Sequence, residues 1–218
     1  MKTSIAITAA LLLSTLATLA QGTVNFSTRV SGTVVGHVYA HDPGSQYGYK
    51  VGNTANETPA GTQTYSGARL EGSDFSAQLW AANGANQQEY ALLPVSPVVP
   101  FRTGATLGGT PTPIVLQIAA IPAGGTGTFQ VRAWYNRGGT ITSYESASTR
   151  NRSLLFTVSN LGDGILTLPA DLAGFRSFNI TGAAIPEPHV LTLLGLAGGA
   201  TVCFFPRRIR RQRRSQCT

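Results

Sequence analysis

DFSAQLWA, residues 74–81, and TFQVRAWY, residues 128–135, alternate apolar and polar side chains. Because successive side chains of a strand point to opposite faces of a sheet, this alternation predicts two half-buried β-strands. The side chains expected to face the core are Phe75, Ala77, Leu79 and Ala81 in the first strand and Phe129, Val131, Ala133 and Tyr135 in the second.

Similar short runs recur between Gly, Pro and Asn residues through the middle of the chain, and no stretch there has a convincing amphipathic helical period. The predicted strands cover residues 22–27, 33–41, 75–81, 98–102, 114–119, 128–135, 153–158 and 175–180. Seven or eight short strands over this length predict an all-β fold, a single β-sandwich of the Ig-like or jelly-roll-like kind over residues 21–182.

The two opening stretches also align with each other 54 positions apart, which suggests an internal repeat. Four pairs of positions carry the alignment. They are Phe75 with Phe129, Gln78 with Arg132, Trp80 with Trp134, and Gly84 with Gly138. One shared pattern of ten residues is weak support for a duplication.

Charge is distributed unevenly along the 218 residues, whose formal net charge is +7. Residues 22–182 contain nine Lys and Arg against eight Asp and Glu, so the expected domain is almost neutral. A nucleic-acid-binding domain needs a basic folded surface, so we expect no nucleic-acid partner. The two cysteines, Cys203 and Cys217, both lie outside this domain, which therefore has neither a disulfide nor a thiolate metal site.

The N-terminus has the order of a secretory signal peptide. Lys2 precedes an apolar stretch at residues 5–13, and small residues follow up to Ala20. Thr18 and Ala20 suit the −3 and −1 positions of a signal peptidase site, so residues 1–20 are the predicted signal peptide. The alternative is an uncleaved anchor helix, although the apolar core is shorter than the ~20 residues that span a bilayer.

The C-terminal segment, residues 183–218, combines three features: a Pro186-Glu187-Pro188 motif, an apolar run and an arginine-rich tail at 207–214. The apolar run predicts a transmembrane helix at about 189–205. The arginines are Arg207, Arg208, Arg210, Arg211, Arg213 and Arg214. Positive charge directly behind an apolar span marks the cytoplasmic side, so these residues are the predicted cytoplasmic charge anchor. A plain proline-bearing linker before a permanent anchor is the alternative.

This three-part tail, on a chain with a signal peptide, resembles the PEP-CTERM sorting signal of Gram-negative bacteria. Phrases within the domain, among them SAQLWAANG and QVRAWYNRGG, are similar to PEP-CTERM surface proteins of Verrucomicrobia-type bacteria. The resemblance implies that an exosortase-like enzyme recognises Pro186, Glu187 and Pro188, cuts nearby, and passes the protein to the cell surface or extracellular matrix. It implies a location and not a chemistry.

Metal-binding candidates are few. His37 and His41 lie on one face of a predicted strand beside Asp42, but four strand residues span roughly 13 Å, too far for one ion. We therefore expect a solvent-facing pair and no metal. Asp163 and Asp171 could bind calcium, but isolated Asp residues in Gly and Pro contexts are more often turn formers.

Trp80 and Trp134 fall on the polar faces of their strands and could stack on sugars, or else pack beneath a loop or cover a sheet edge. No nucleophile elbow or paired carboxylates are evident, so we expect neither catalysis nor a cofactor. The sequence predicts an exported structural or interaction protein of the cell surface or extracellular matrix. The alternative is a surface-anchored carbohydrate-binding module whose partner is an extracellular polysaccharide.

Overall fold

The computed structural model describes residues 21–42 and 48–181, and this part of the chain is all-β. A single 3-10 turn, Glu89–Ala91, is the only helical element in the described ranges. The strands are β1 Gln21–Phe26, β2 Arg29–Val30, β3 Val34–Val35, β4 Val38–Tyr39, β5 Gly72–Asn83, β6 Leu93–Pro94, β7 Val99–Phe101, β8 Ile114–Pro122, β9 Gly127–Tyr135, β10 Arg150–Arg152, β11 Phe156–Val158, β12 Ala170–Asp171 and β13 Phe178–Asn179.

Two larger sheets and two strand pairs make up the described fold. One sheet has the order β12-β1-β8, and the other has the order β10-β9-β5-β6, with β11 also beside β9 and β7 also beside β5. The remaining pairs are β13 with β4 and β2 with β3. The two alternating stretches are antiparallel neighbours, with Phe75 opposite Tyr135 and Asn83 opposite Gly127.

Of the eight side chains predicted to face the core from β5 and β9, Phe75 and Tyr135 are only half-buried. The other six are buried as predicted; they are Ala77, Leu79, Ala81, Phe129, Val131 and Ala133. They belong to one hydrophobic cluster that also receives side chains from β1, β8 and the C-terminal residues of the described chain. Burial of large apolar side chains, at roughly 1.5–3 kcal/mol each, is the main stabilising contribution to such a fold.

Two parallel pairings join the first strands to the last. Val24 of β1 lies opposite Ala170 of β12, and Val38 of β4 lies opposite Phe178 of β13. Side chains from the first and last strands of the described chain thereby pack in the same hydrophobic cluster. The described residues therefore carry their own core.

The predicted strand 33–41 is divided in the structure, which corrects that expectation. β3 pairs with β2, whereas β4 pairs with β13, and Gly36 lies between them. The Phe175 ring packs so closely on Gly36 that a Cβ there would lie 2.8 Å from it. The chain changes partners at this point, and the ladder breaks. The predicted strand 153–158 is similarly shortened to β11, while β10 precedes it.

The two terminal predictions concern residues outside the described ranges. The signal peptide at 1–20 and the sorting segment at 183–218, with its helix at about 189–205, are therefore still predictions from sequence. Within the described residues, no helix is long and apolar enough to cross a membrane.

Candidate functional site on the polar face of the six-stranded sheet

A row of polar side chains crosses the sheet on the face opposite the core. Arg152 of β10 pairs with Arg132 of β9, which in turn pairs with Gln78 of β5. Like charges directly opposite each other destabilise a strand pair. Glu89 offsets this repulsion, because its Oε1 lies 2.8 Å from Arg152 Nε and 3.5 Å from an Arg132 terminal nitrogen.

Arg132 is the centre of this arrangement, and its guanidinium group contacts two aromatic rings. Its Cζ lies 3.6 Å from the centroid of the Trp80 ring and 5.2 Å from that of Tyr144. Its Nε donates to Gln130 Oε1 at 2.9 Å, and a terminal nitrogen lies 3.4 Å from Glu145 Oε1. Such stacking attracts the cation to the negative ring face.

We call these residues the Arg132 cluster; its members are Trp80, Glu89, Arg132, Tyr144, Glu145 and Arg152. Burial lowers the pKa of the Arg132 guanidinium from its usual value, and the carboxylates of Glu89 and Glu145 act in the opposite direction. The group nevertheless stays protonated at neutral pH, because a guanidinium is effectively always charged in proteins.

The rim of the cluster is open to solvent. The side chains of Arg152, Glu89 and Glu145 are 44%, 38% and 59% exposed. Tyr90, next to Glu89 in the 3-10 turn, is 90% exposed. Hydrogen-bonding charges beside aromatic rings suit the binding of a polar ligand, since they offer both stacking and directional contacts.

The position of Trp134 rules out one prediction from the sequence, that its ring could stack on a sugar. The ring lies on the polar face as expected, but it is fully buried and cannot stack on a ligand. Residues 136–149 fold over it: Tyr144 contacts the ring edge with centroids 6.4 Å apart, and the indole N–H donates to the Ile141 carbonyl at 3.1 Å. The alternative, packing beneath a loop, is the one confirmed. Trp80 is half-buried within the Arg132 cluster.

His37 is also buried, at 1% exposure, so the prediction of a solvent-facing histidine pair is wrong. Its Nδ1 lies 2.7 Å from Glu57 Oε1, which also accepts from the Tyr39 hydroxyl at 3.0 Å. The other Glu57 oxygen accepts from the Thr54 N–H at 2.6 Å. Residues 51–67 bring this carboxylate across the histidine, a tertiary contact that strand alternation does not reveal.

Hydrogen bonds outweigh desolvation at Glu57. Burial alone would raise the pKa of this carboxyl, but the bonds from His37, Thr54 and Ser177 hold it below its usual value. Ser177 also accepts from the His37 N–H at 2.8 Å. Glu57 therefore links the loop, β4 and the segment leading into β13.

His41 and Asp42 follow His37 along the chain, and the structure gives Asp42 a role in the fold. Asp42 is buried, forms an ion pair with Lys50, and accepts from the N–H groups of Ser66 and Gly67 at 2.9 and 2.8 Å. Among the described residues, no three His, Cys, Asp or Glu side chains are grouped as a metal site requires.

Asp163 is a turn former, as predicted. Its Oδ1 accepts from the N–H groups of Ile165, Leu166 and Thr167, each at 2.8 Å. These backbone bonds, with that of Thr167 the largest contribution, lower the pKa of Asp163 to about 2. Asp171 instead lies in β12, where its carboxylate accepts from the Asn25 side chain at 3.0 Å.

Sequence reasoning missed most of the Arg132 cluster. One signal was present: Arg150-Asn151-Arg152 has the two-residue period of a strand, which predicts two basic side chains on one face. The contribution of Glu89 had no comparable signal, since it comes from a turn distant in sequence.

Comparison of the chain with family models, curated proteins and solved structures finds no match. The predicted sorting motif, Pro186, Glu187 and Pro188, and the arginine-rich stretch at 207–214 lie outside the described residues.

Proposed function

We propose that this chain is an exported, non-catalytic β-domain protein that is cut at both ends and delivered to the cell surface or extracellular matrix. The observation that carries the proposal is the complete three-part C-terminal pattern on a chain with a signal-peptide-like start. The described fold is compatible with both cuts. Its first ladder begins at Gln21, next to the expected site, and its last bridge ends at Thr181.

We further propose that the two larger sheets pack as a β-sandwich. Support comes from the shared hydrophobic cluster, which takes side chains from β1 and β8 of one sheet and from β5 and β9 of the other. Two sheets that share a core in this way are typical of sandwich domains.

Each part of the proposed sorting signal has a physical task. Prolines fix their own backbone φ and favour extended conformations in the residue before, so Pro186 and Pro188 would present Glu187 on a stiff strand to a processing cleft. The apolar run would hold the chain in the membrane. The arginines would keep the C-terminus on the cytoplasmic side.

We expect the surface protein to lack residues 1–20 and everything after the neighbourhood of Pro188. Replacing Glu187 by Ala leaves the apolar run and the arginines unchanged, so this variant is expected to insert but to keep its tail. Intact-mass spectrometry of the native protein and of Glu187→Ala measures both cuts directly.

A variant with all six tail arginines changed to Gln serves as a control, because it removes the charge anchor and keeps the Pro-Glu-Pro motif. It is expected to weaken membrane retention before cutting. A native mass that includes residues 190–218 would overturn the sorting proposal and favour a permanent anchor.

A second candidate function, binding of an extracellular polysaccharide, is favoured by one observation: the solvent-open rim of the Arg132 cluster. Trp80 is half-buried there, beside exposed Arg152 and Glu89. Aromatic rings flanked by charged hydrogen-bonding groups are suited to sugars, whose apolar faces stack while their hydroxyls bond.

Titration of the domain, residues 21–182, with a panel of soluble polysaccharides tests this candidate. Binding at the Arg132 cluster is expected to change tryptophan fluorescence mainly through Trp80, and Trp80→Phe is expected to leave only a small response, because Trp134 is fully buried and touches the cluster only through Tyr144. A response of unchanged size in Trp80→Phe would place binding elsewhere. Flat titrations across the panel would contradict sugar binding.

A further inference from the structure

The longest outer strand of the described fold pairs along one side only. β8 has nine residues and lies at the edge of its sheet, beside β1. The other outer strands of the two larger sheets are β6, β7, β10, β11 and β12, and each has two or three residues. A long free edge offers its backbone to a further strand.

The hydrogen-bond register shows which backbone groups of β8 face outward. Thr23 of β1 exchanges both of its backbone hydrogen bonds with Gly162, at 2.7 and 3.2 Å, and therefore makes none with β8. Gln117 lies opposite Thr23, so its own N–H and C=O point away from β1, as do those of Val115, two residues earlier. No described residue bonds to these outward groups.

The side chains of β8 leave its outer face open. Val115 is 59% exposed, and Gln117 and Ala119 are exposed as well. Leu116 and Ile118 alternate with them and are buried in the core. The described fold therefore covers β8 on its core face and along the side next to β1, and leaves the rest of the strand to solvent.

The strand and its flanking residues carry no charge. Residues 103–131 contain no Asp, Glu, Lys, Arg or His. Natural sheets block unwanted pairing with charged side chains or proline on their edge strands. Pro113 and Pro122 bracket this edge, but the interval 114–121 has neither safeguard. Two copies of β8 can therefore approach each other without like-charge repulsion.

A second copy of the same strand fits this edge. An antiparallel strand pair is self-complementary, because each outward N–H faces a C=O of the other copy and each C=O faces an N–H. The interval between the two prolines is centred beside Gln117, so symmetric pairing has its longest overlap when Gln117 lies near the two-fold axis. A charged partner would gain no electrostatic attraction from an uncharged edge.

We propose that β8 pairs antiparallel with β8 of a second copy, so that the sheets of two domains become one continuous sheet. The proposal goes beyond the sorting function and does not depend on export. Pairing through one strand is a small contact, so the dimer is weak and forms where the protein is concentrated. A surface layer or an extracellular matrix supplies that condition.

Sedimentation equilibrium of residues 21–182 tests the proposal. The weight-average mass is expected to rise from monomer toward dimer between about 10 µM and 1 mM, the range of a weak contact. Gln117→Lys and Gln117→Glu are each expected to weaken dimerisation about tenfold or more, because like charges meet near the two-fold axis. An equimolar mixture of the two variants is expected to dimerise again, since a lysine then faces a glutamate.

Leu93→Lys is the matched control, because it adds the same charge to an exposed position of β6, an edge strand of the other sheet. It is expected to dimerise as the unaltered domain does, and circular dichroism checks the folding of every variant. Four results would each overturn the proposal: a monomer at all concentrations, full dimerisation of Gln117→Lys, no restoration in the mixture, or growth beyond the dimer.

Amide hydrogen exchange of the unaltered domain gives a second measurement that needs no variant. The N–H groups of Val115 and Gln117 are expected to exchange several-fold more slowly when the dimer predominates, because they become hydrogen-bonded. The Leu116 N–H, which faces β1, is the internal reference and is expected not to change. A dimer in which the Gln117 amide exchanges as in the monomer would place the interface elsewhere and contradict the proposal. None of these results bears on the masses that test sorting.

Discussion

Replacing Glu57 by Ala is expected to lower the free energy of unfolding by about 3–5 kcal/mol. The carboxylate is buried and accepts hydrogen bonds from His37 Nδ1, the Tyr39 hydroxyl and the Thr54 N–H. Its removal leaves these donors without their acceptor in the interior, which costs more than the bonds contribute. Urea unfolding of residues 21–182, followed by circular dichroism, measures the change.

Glu71→Ala is the matched control, since Glu71 is exposed and the same side chain is removed. It is expected to change stability by less than about 0.5 kcal/mol. Equal stabilities for the two variants would show that the Glu57 bonds do not hold the fold together.

The same carboxylate gives stability a pH dependence with a definite sign. Because the pKa of folded Glu57 lies below 4.5, its usual value, the charged form contributes stability above pH 4.5, and this contribution is lost as the pH falls through the folded pKa. Glu57→Gln is expected to make the loss below pH 4.5 shallower. Some acid sensitivity will persist, since Asp42 also has a lowered pKa.

Replacing Trp134 by Ala is expected to cost about 3–5 kcal/mol of stability. The ring is fully buried, and Tyr144 and Ala147 form a second hydrophobic cluster with it. Removing it leaves a cavity beneath residues 136–149 and frees the Ile141 carbonyl from its indole partner. Thermal unfolding and limited proteolysis of this loop measure the two consequences.

Trp80→Ala is the comparison variant, because it removes the same side chain from the neighbouring strand. Trp80 is half-buried and chiefly loses its contact with the Arg132 guanidinium, so we expect a cost of roughly 1–2 kcal/mol. Equal costs for the two variants would contradict the different environments of the rings.

The alternation of apolar and polar residues predicted those features of the fold that depend on neighbouring residues in the sequence. Alternation identified β5 and β9 and their core faces, because a strand with one buried face must place its apolar residues on that side. It could not reveal what covers the other face. Trp134 and Trp80 occupy equivalent positions in the two stretches, yet only Trp134 is fully buried, since residues 136–149 return across it.

Strand ends depend in the same way on distant partners. Residues 33–41 look like one strand, but β3 and β4 pair with different neighbours and the ladder breaks between them. The two-residue strand β12 exists because β1 lies beside it, and no local signal marks it. The Arg132 cluster likewise needed Glu89, whose place beside Arg132 follows from tertiary folding alone.

The parallel pairings of β1 with β12 and of β4 with β13 also set the order in which the fold can be completed. Asn25 and Asp171, which bond to each other, are 146 residues apart. At typical rates of synthesis, the first strand waits on the order of ten seconds for the last to be made. During that time Val24 and Phe26 have no complete core to enter. The core therefore cannot be completed until β12 and β13 have been made, and a chain whose fold is incomplete is one that a narrow channel can thread.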